Sequence, residues 1–420
     1  MTNPLVESLP LPARSAVKGA WNLLSADQQR DLERWLPGVG GNITGIKDVM
    51  RYVTDNYRAA LDHAAAAIAI VGPANVGKST LYNQLITPSE QKAVVSPVPG
   101  TTRVNQSGSA GVFTIVDTPG ADAVGPVGEH EREIALSAAR LADFLVIMFD
   151  ASSGVSRSDR ELFDALQALS KPHLVVLNKM DLVSKRDRDA VMNSAAANLG
   201  IERAQIMDIS ASKGDHVGHV VLSIAQAEPR LLISLADALP GYRSKLAWQR
   251  TIAAATASAS IAFIPLPVAD VVPLVGVQTG LVLTIARIYG YDITPARAKE
   301  LIAAFGVGFA ARTLQRELAK LLGAPGWVLS AAVAASATVA MGYGAMLWFE
   351  RGEKPSQELL QGTMREVGAY LREQLTRGGK DRPDQKGLRQ RVQAALEGLP
   401  ERFRPDRGPT ERPPKDKLPR

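Results

Sequence analysis

The segment Gly72-Pro-Ala-Asn-Val-Gly77-Lys78-Ser79 constrains this chain more than any other. It is a G-x-x-x-x-G-K-[ST] loop lying between an apolar run, Ala66–Val71, and a helix-like stretch that begins at Ser79. Strand, loop and helix in that order make the pattern a phosphate cradle. Its glycines let the backbone wrap closely around phosphate oxygens. Successive amide N–H groups and the helix N-terminus then face the anion. Gly72, Asn75, Val76, Gly77, Lys78, Ser79 and Thr80 are therefore the expected phosphate-side residues. Lys78 would add a cation on the β- and γ-phosphates, and Ser79 an oxygen on Mg2+.

The surroundings support an α/β domain. Besides Ala66–Val71, short apolar runs occur at Val112–Val116, Phe144–Phe149, His173–Leu177 and Gln205–Ile209, each followed by turn residues and separated by polar helical stretches. Continuous apolar strands alternating with helices predict a parallel sheet covered on both faces. With 46% apolar and 21% charged residues, the 420-residue chain is no disordered polymer. It has no cysteine, which excludes disulfides, thiol catalysis and cysteine metal sites and fits a reducing compartment. Its five histidines form no metal-ligand pattern; His216 and His219 are spaced i, i+3 but no carboxylate cluster joins them.

Three further motifs follow apolar runs. Asp117-Thr-Pro-Gly120 ends one, where an acidic residue can hold Mg2+ through its water shell and Gly120 can offer its amide to the γ-phosphate. Asn178-Lys179-Met180-Asp181 ends another. Guanine presents N1–H and an exocyclic amine, and one carboxylate such as Asp181 accepts from both. Adenine has no matching donor pair and would leave that carboxylate unpaired. Asn178 can meet the N7 edge of the base and tie loops together. Ser210-Ala211-Ser212-Lys213 comes last, with a backbone able to reach the guanine O6.

The order GPANVGKS, DTPG, NKMD and SASK resembles a translation-factor-class GTPase of the TrmE/Era type over residues 63–235. The resemblance implies a Ras-like fold, a six-stranded mostly parallel sheet binding GTP or GDP at the carboxyl ends of its strands. Ser96-Pro-Val-Pro-Gly-Thr-Thr-Arg103 matches the family's first switch, so Thr102 (with Thr101 as the alternative) would complete Mg2+ coordination. Lys78 and Thr102 are the residues assigned to catalysis, and Ser79, Thr102 and Asp117 the magnesium ligands. Asn75 matches an asparagine that in several members helps bind potassium, which would offset transition-state charge. After Asp-Thr-Pro-Gly stands Ala121, where Ras-type proteins carry a water-orienting Gln. Slow hydrolysis is therefore expected, stimulated by potassium, by dimerisation through the G domain or by a partner, with 121–131 as a mobile second switch.

Residues 240–350 change in character. Between Arg250 and Arg287 the one charged residue is Asp270, and the 23 residues Trp327–Phe349 carry no charge. Pro265, Pro267 and Pro273 predict two helices, about 243–263 and 274–290, meeting at a proline turn. This all-α region resembles the YcjF-type domain of unknown function, through its P-x-P-x-x-D turn and Gln278-Thr-Gly-Leu…Gly290. That resemblance implies membrane association. The apolar stretch at 327–349 is long enough to span a bilayer, though rich in Ala, Ser and Gly as a buried bundle helix would also be. Residues 1–62 read as a helical extension whose Trp21 and Trp35 pack on the nucleotide domain. Residues 351–420 read as a charged, partly disordered basic tail with one short helix near Leu388–Leu399. Its last part, 380–420, has 12 basic and 7 acidic residues.

The start of the chain lacks the apolar core of an export signal. The expectation is a GTP switch coupled to a membrane-associated helical domain on the cytoplasmic face. The alternative is a soluble cytoplasmic ribosome- or RNA-associated assembly GTPase, although no RNA-binding GxxG module or aromatic platform follows the nucleotide domain.

Overall fold

The computed structural model describes residues 67–86, 112–118, 133, 136–263, 271–291, 326–352, 354–377, 381, 383–400 and 403. It divides into two compact units, one spanning His63–Tyr242 and the other containing Arg243–Arg420.

In the first unit every apolar run of the sequence is a strand: β1 Ile68–Pro73, β2 Phe113–Thr118, β3 Phe144–Asp150, β4 His173–Asn178 and β5 Ile206–Asp208. They form one parallel sheet in the order β2-β1-β3-β4-β5. The expected six strands are five among the described residues. The sixth rested on family resemblance alone, and no apolar run within the described residues supplies it. The helices are α1 Lys78–Leu85, α2 Arg157–Gln167, α3 Arg188–Leu199, α4 Val217–Ala227 and α5 Leu232–Ala238.

Strand side chains alternate between the two faces. Ala69, Val71, Leu145, Ile147, Phe149, Val175 and Leu177 share a core with Phe163 of α2 and Met192 and Leu199 of α3. The alternate positions Ile68, Ile70, Phe144, Val146, Met148 and Val176 are buried as well. Burial on both faces is why these runs are apolar throughout rather than alternating. Completely burying one residue such as Phe163 contributes roughly 1.5–3 kcal/mol. The register matters for the site: Gly72 lies opposite Asp117, and Asp150 opposite Asn178, so the motif residues gather at the carboxyl ends of the parallel strands.

The second unit is helical. Its elements are α6 Arg243–Ala262, α7 Val271–Ile288, α8 Gly326–Arg351, α9 Gln357–Arg377 and α10 Gln385–Glu397. Helix α7 begins three residues before its expected start, with Pro273 inside its first turn. A proline is tolerated there because first-turn N–H groups have no intrahelical acceptor. Helix α8 packs against α6, α7 and α9, and α6 also against α10. Close approach is built in: a Cβ added at Gly342 would lie 2.4 Å from Thr251 Oγ1. Three helices share a polar link in the core. Gln278 Nε2 donates to Thr338 Oγ1 (3.2 Å), and Thr338 Oγ1 to Ser258 Oγ (2.9 Å).

The segment read as a charged tail contains two helices with buried faces. Leu360, Met364, Val367, Leu371 and Leu375 of α9 and Leu388, Val392 and Leu396 of α10 are buried. Their i, i+3/i+4 spacing is that of a helix with one apolar stripe, and the surrounding charges mask it in a composition count. The expected N-terminal helices, Trp21, Trp35 and Asp270 lie outside the described residues.

Candidate nucleotide site

The phosphate loop joins β1 to α1. Gly72 must be glycine, because a Cβ there would stand 2.2 Å from the carbonyl oxygen of Met148 in β3. Asn75 and Gly77 both adopt left-handed backbone, with φ of 62° and 98°. Gly77 is the N-cap of α1, and Leu81 N–H donates to its carbonyl at 2.9 Å. Lys78 is buried, and its Nζ donates to the carbonyls of Gly72 (2.7 Å) and Pro73 (2.6 Å). The ammonium thus sits in the concavity of its own loop, where phosphate oxygens would be its natural acceptors.

Asn178 locks this loop to the Ser210–Lys213 motif. The asparagine is 2% exposed, and its Nδ2 donates to Val76 O at 2.7 Å while its Oδ1 accepts from Ala211 N at 2.9 Å. Gly77 makes room for it: a Cβ at 77 would lie 2.3 Å from Asn178 Nδ2. One side chain therefore connects the first, third and fourth motifs. Of the Ser210–Lys213 backbone, expected to reach a guanine O6, the Ala211 amide is engaged by Asn178.

Asp181 stands in the short 3-10 turn Met180–Leu182. Ser210 Oγ donates to its Oδ1 (2.7 Å) and Ser212 Oγ to its Oδ2 (3.2 Å). The Ser210 hydrogen bond, more than any other influence, holds the carboxyl below its ordinary pKa; burial opposes it and the Ser212 bond adds to it. An ionised carboxylate with one hydroxyl on each oxygen keeps lone pairs for two further donors, as the guanine edge requires. The serine hydroxyls thus orient Asp181, a role separate from the backbone contact expected of this segment.

Lys179, also left-handed with φ 65°, forms an ion pair with Asp150 at the end of β3, Nζ to Oδ2 at 2.6 Å. Asp150 was not singled out in the sequence. The available signal was an acidic residue closing an apolar run immediately before an Ala-Ser-Ser-Gly turn.

The metal-side residues are partly visible. Ser79 lies in the first turn of α1, and the register of β2 sets Asp117 beside Gly72. Among the described residues no group of three or more His, Asp or Glu could hold a metal. A magnesium ion here would draw most of its oxygens from phosphates and water, its usual mode beside nucleotides. Asn75 is exposed at the loop tip, and its neutral amide oxygen suits a monovalent cation. Thr101, Thr102, Gly120 and Ala121 lie outside the described residues.

Residues 67–179 match the family model of the 50S ribosome-binding GTPase, and residues 244–376 match a domain of unknown function (DUF697). The second match ends with α9, whereas the helical packing continues to α10. GTPase Der of Clostridium botulinum is 31% identical over 217 residues, covering 46% of this chain and 49% of that protein. GTPase Der of a Bradyrhizobium species is 36% identical over 169 residues, covering 39% and 35%. The chain spans about half the length of the first of these curated relatives. Among solved structures, Aquifex aeolicus Era bound to GDP·AlF4− is similar, with 26% identity, a TM-score of 0.32, and coverage of 45% of this chain and 67% of that one.

Proposed function

We propose, on the premise that residues 67–179 are a P-loop GTPase domain of the Era and Der type, that the chain binds GTP, hydrolyses it slowly to GDP and phosphate, and acts as a switch coupled to its helical unit. The observation that carries the nucleotide assignment is Asn178. It ties the phosphate loop to the loop that orients Asp181, so triphosphate tail and purine are read by one preformed constellation. Lys78 would exchange two backbone carbonyls for β- and γ-phosphate oxygens, and Asp181 would accept from N1–H and the exocyclic amine. Mg2+ held by Ser79, Thr102 and Asp117 would neutralise developing phosphate charge, and potassium near Asn75 would add to that neutralisation. Ala121 has no group to orient the attacking water, which is why turnover is slow.

Calorimetry of the full chain with Mg2+ tests the assignment. GTP and GDP should bind and ATP should not; equal affinity for ATP and GTP overturns it. Lys78→Ala should abolish measurable nucleotide affinity. Phosphate release should be faster in potassium than in sodium, and equal rates remove the Asn75 role.

We further propose that the helical unit associates with the cytoplasmic side of a membrane. Helix α8 supports this: it has 26 residues, its most apolar 18-residue stretch has a mean hydropathy of 1.5, and it is the one described helix long and apolar enough to cross a bilayer. One observation favours the soluble half of a second reading, a soluble ribosome- or RNA-associated assembly GTPase: 83% of the most apolar window of α8 is already buried. Fractionation separates them. Recovery with membranes at high salt supports the first, and a high-speed supernatant after low-salt lysis rejects it.

A further inference from the structure

We propose that Asp150 is a positioning residue for guanine binding, its carboxylate anchoring the Lys179 ammonium so that the lysine's methylene stem is held as a fixed apolar surface for the purine. This inference rests on the guanine-nucleotide reading above and adds a residue to it.

Three donors converge on Asp150. Ser152 gives both its amide N–H (2.8 Å) and its hydroxyl (2.6 Å) to Oδ1, leaving Oδ2 to Lys179 Nζ at 2.6 Å. The carboxylate is thereby oriented before the lysine meets it. The side chains of Lys179 and Asp150 are 30% and 13% exposed, so the pair is not a loose surface bridge. Burial pushes the Asp150 carboxyl up, but the bonds from Lys179 and Ser152 outweigh it and leave the group below its ordinary range, ionised at neutral pH.

The pair is not needed to join the strands. Asp150 and Asn178 are already in register, and Ala151 N–H donates to Asn178 O at 2.8 Å. It does fix the direction of one side chain. Lys179 leaves a left-handed backbone position between Asn178 and the turn that carries Asp181. A lysine with a free head would sample many rotamers and lose that freedom when a base packed on its stem. One already tethered has little left to lose. Lysine stems commonly cover apolar surface while the charged head is satisfied elsewhere.

The test is the dissociation rate of a fluorescent GDP analogue from the full chain with Mg2+, measured by stopped flow. Asp150→Asn keeps the shape and the acceptor for Ser152 but removes the charge, so it guards against misfolding. Asp150→Ala removes both. Each should release GDP about tenfold faster, with the Tm of nucleotide-free Asp150→Asn unchanged. Lys179→Ala should do the same, and the double variant should be no faster than Lys179→Ala alone, since one interaction is removed twice. A normal off-rate in both Asp150 variants overturns the proposal, as does a fully additive double variant. So does a loss of binding matched by an equal loss of unliganded stability, which would mark the pair as structural. If the unsubstituted chain binds neither GDP nor GTP, the nucleotide reading itself fails and this proposal falls with it. Tight GDP binding with indifferent Asp150 variants sinks the proposal alone.

Discussion

Gly77 carries two independent demands, and they can be measured separately. Its φ of 98° penalises any L side chain, and its missing Cβ leaves room for Asn178. Gly154 has a φ of 76° with nothing within 4 Å of a hypothetical Cβ, so it faces the first demand only. Gly154→Ala should cost about 1–2 kcal/mol in chemical denaturation and leave GDP affinity alone. Gly77→Ala should cost more and weaken GDP binding by at least about tenfold, because Asn178 must leave Val76 or Ala211. Equal effects of the two variants on binding would remove Asn178 from the account. Asp181 gives a pH prediction whose sign follows from its hydrogen bonds. Ser210 and Ser212 favour the ionised form, so under the proposed reading the group would meet guanine as an anion above its depressed pKa and lose that form as pH falls through it. Calorimetric affinity for GDP should stay level from about pH 8 to about pH 5 and fall only on further acidification. A decline already evident between pH 7 and 6 would place another titrating group in control.

At the scale of elements, the contact between α6 and α8 is set by small residues. Thr251 fits against Gly342 because no Cβ intervenes, while Thr251 Oγ1 donates to Ala247 O at 2.9 Å. Gly342→Ala should overpack this crossing and destabilise the full chain by about 1–3 kcal/mol. Adding Thr251→Ala should recover much of the loss, since the nearest atoms are the threonine Oγ1 and Cγ2 at 2.4 and 2.5 Å. No recovery in denaturant melts would mean that backbone displacement, not this contact, carries the strain. The legibility of each element tracks the range of the interaction behind it. Strands β1 and β3 were visible because burial on both faces makes each an unbroken apolar run, β2, β4 and β5 because shorter apolar runs end in turn motifs, and α6 and α7 because prolines and a charge desert mark them. Helix α9 was hidden, since Arg365, Glu366, Arg372 and Glu373 surround its stripe of Leu360, Met364, Val367 and Leu371. Likewise, Gly-Lys-Ser and Asn-Lys-Met-Asp announce chemistry locally, whereas Asp150–Lys179 joins residues 29 positions apart and needs the β3–β4 register to bring them together.

For the whole molecule the question is whether nucleotide binding is felt beyond the unit that binds it. A ligand stabilises what it binds by RT ln(1 + [L]/Kd), about 2.7 kcal/mol at a hundredfold excess over Kd. The chain divides at Tyr242, with the phosphate loop, Asn178 and Asp181 all in His63–Tyr242 and every apolar helix from α6 onward in the other unit. If the units are energetically independent, scanning calorimetry of the full chain with saturating Mg2+–GDP should raise one transition and leave the other in place. A switch demands more, because coupling between two sites is a free energy and is reciprocal. A non-hydrolysable GTP analogue should then move the helical transition as well, and by a different amount from GDP. Any membrane surface that binds the helical unit should in turn change affinity for the triphosphate relative to the diphosphate. The decisive measurement is therefore the GTP-analogue to GDP affinity ratio of the full chain with and without anionic vesicles. A ratio unchanged by vesicles that do bind the protein would leave a nucleotide-binding domain and a membrane-binding domain on one chain, with no switch between them.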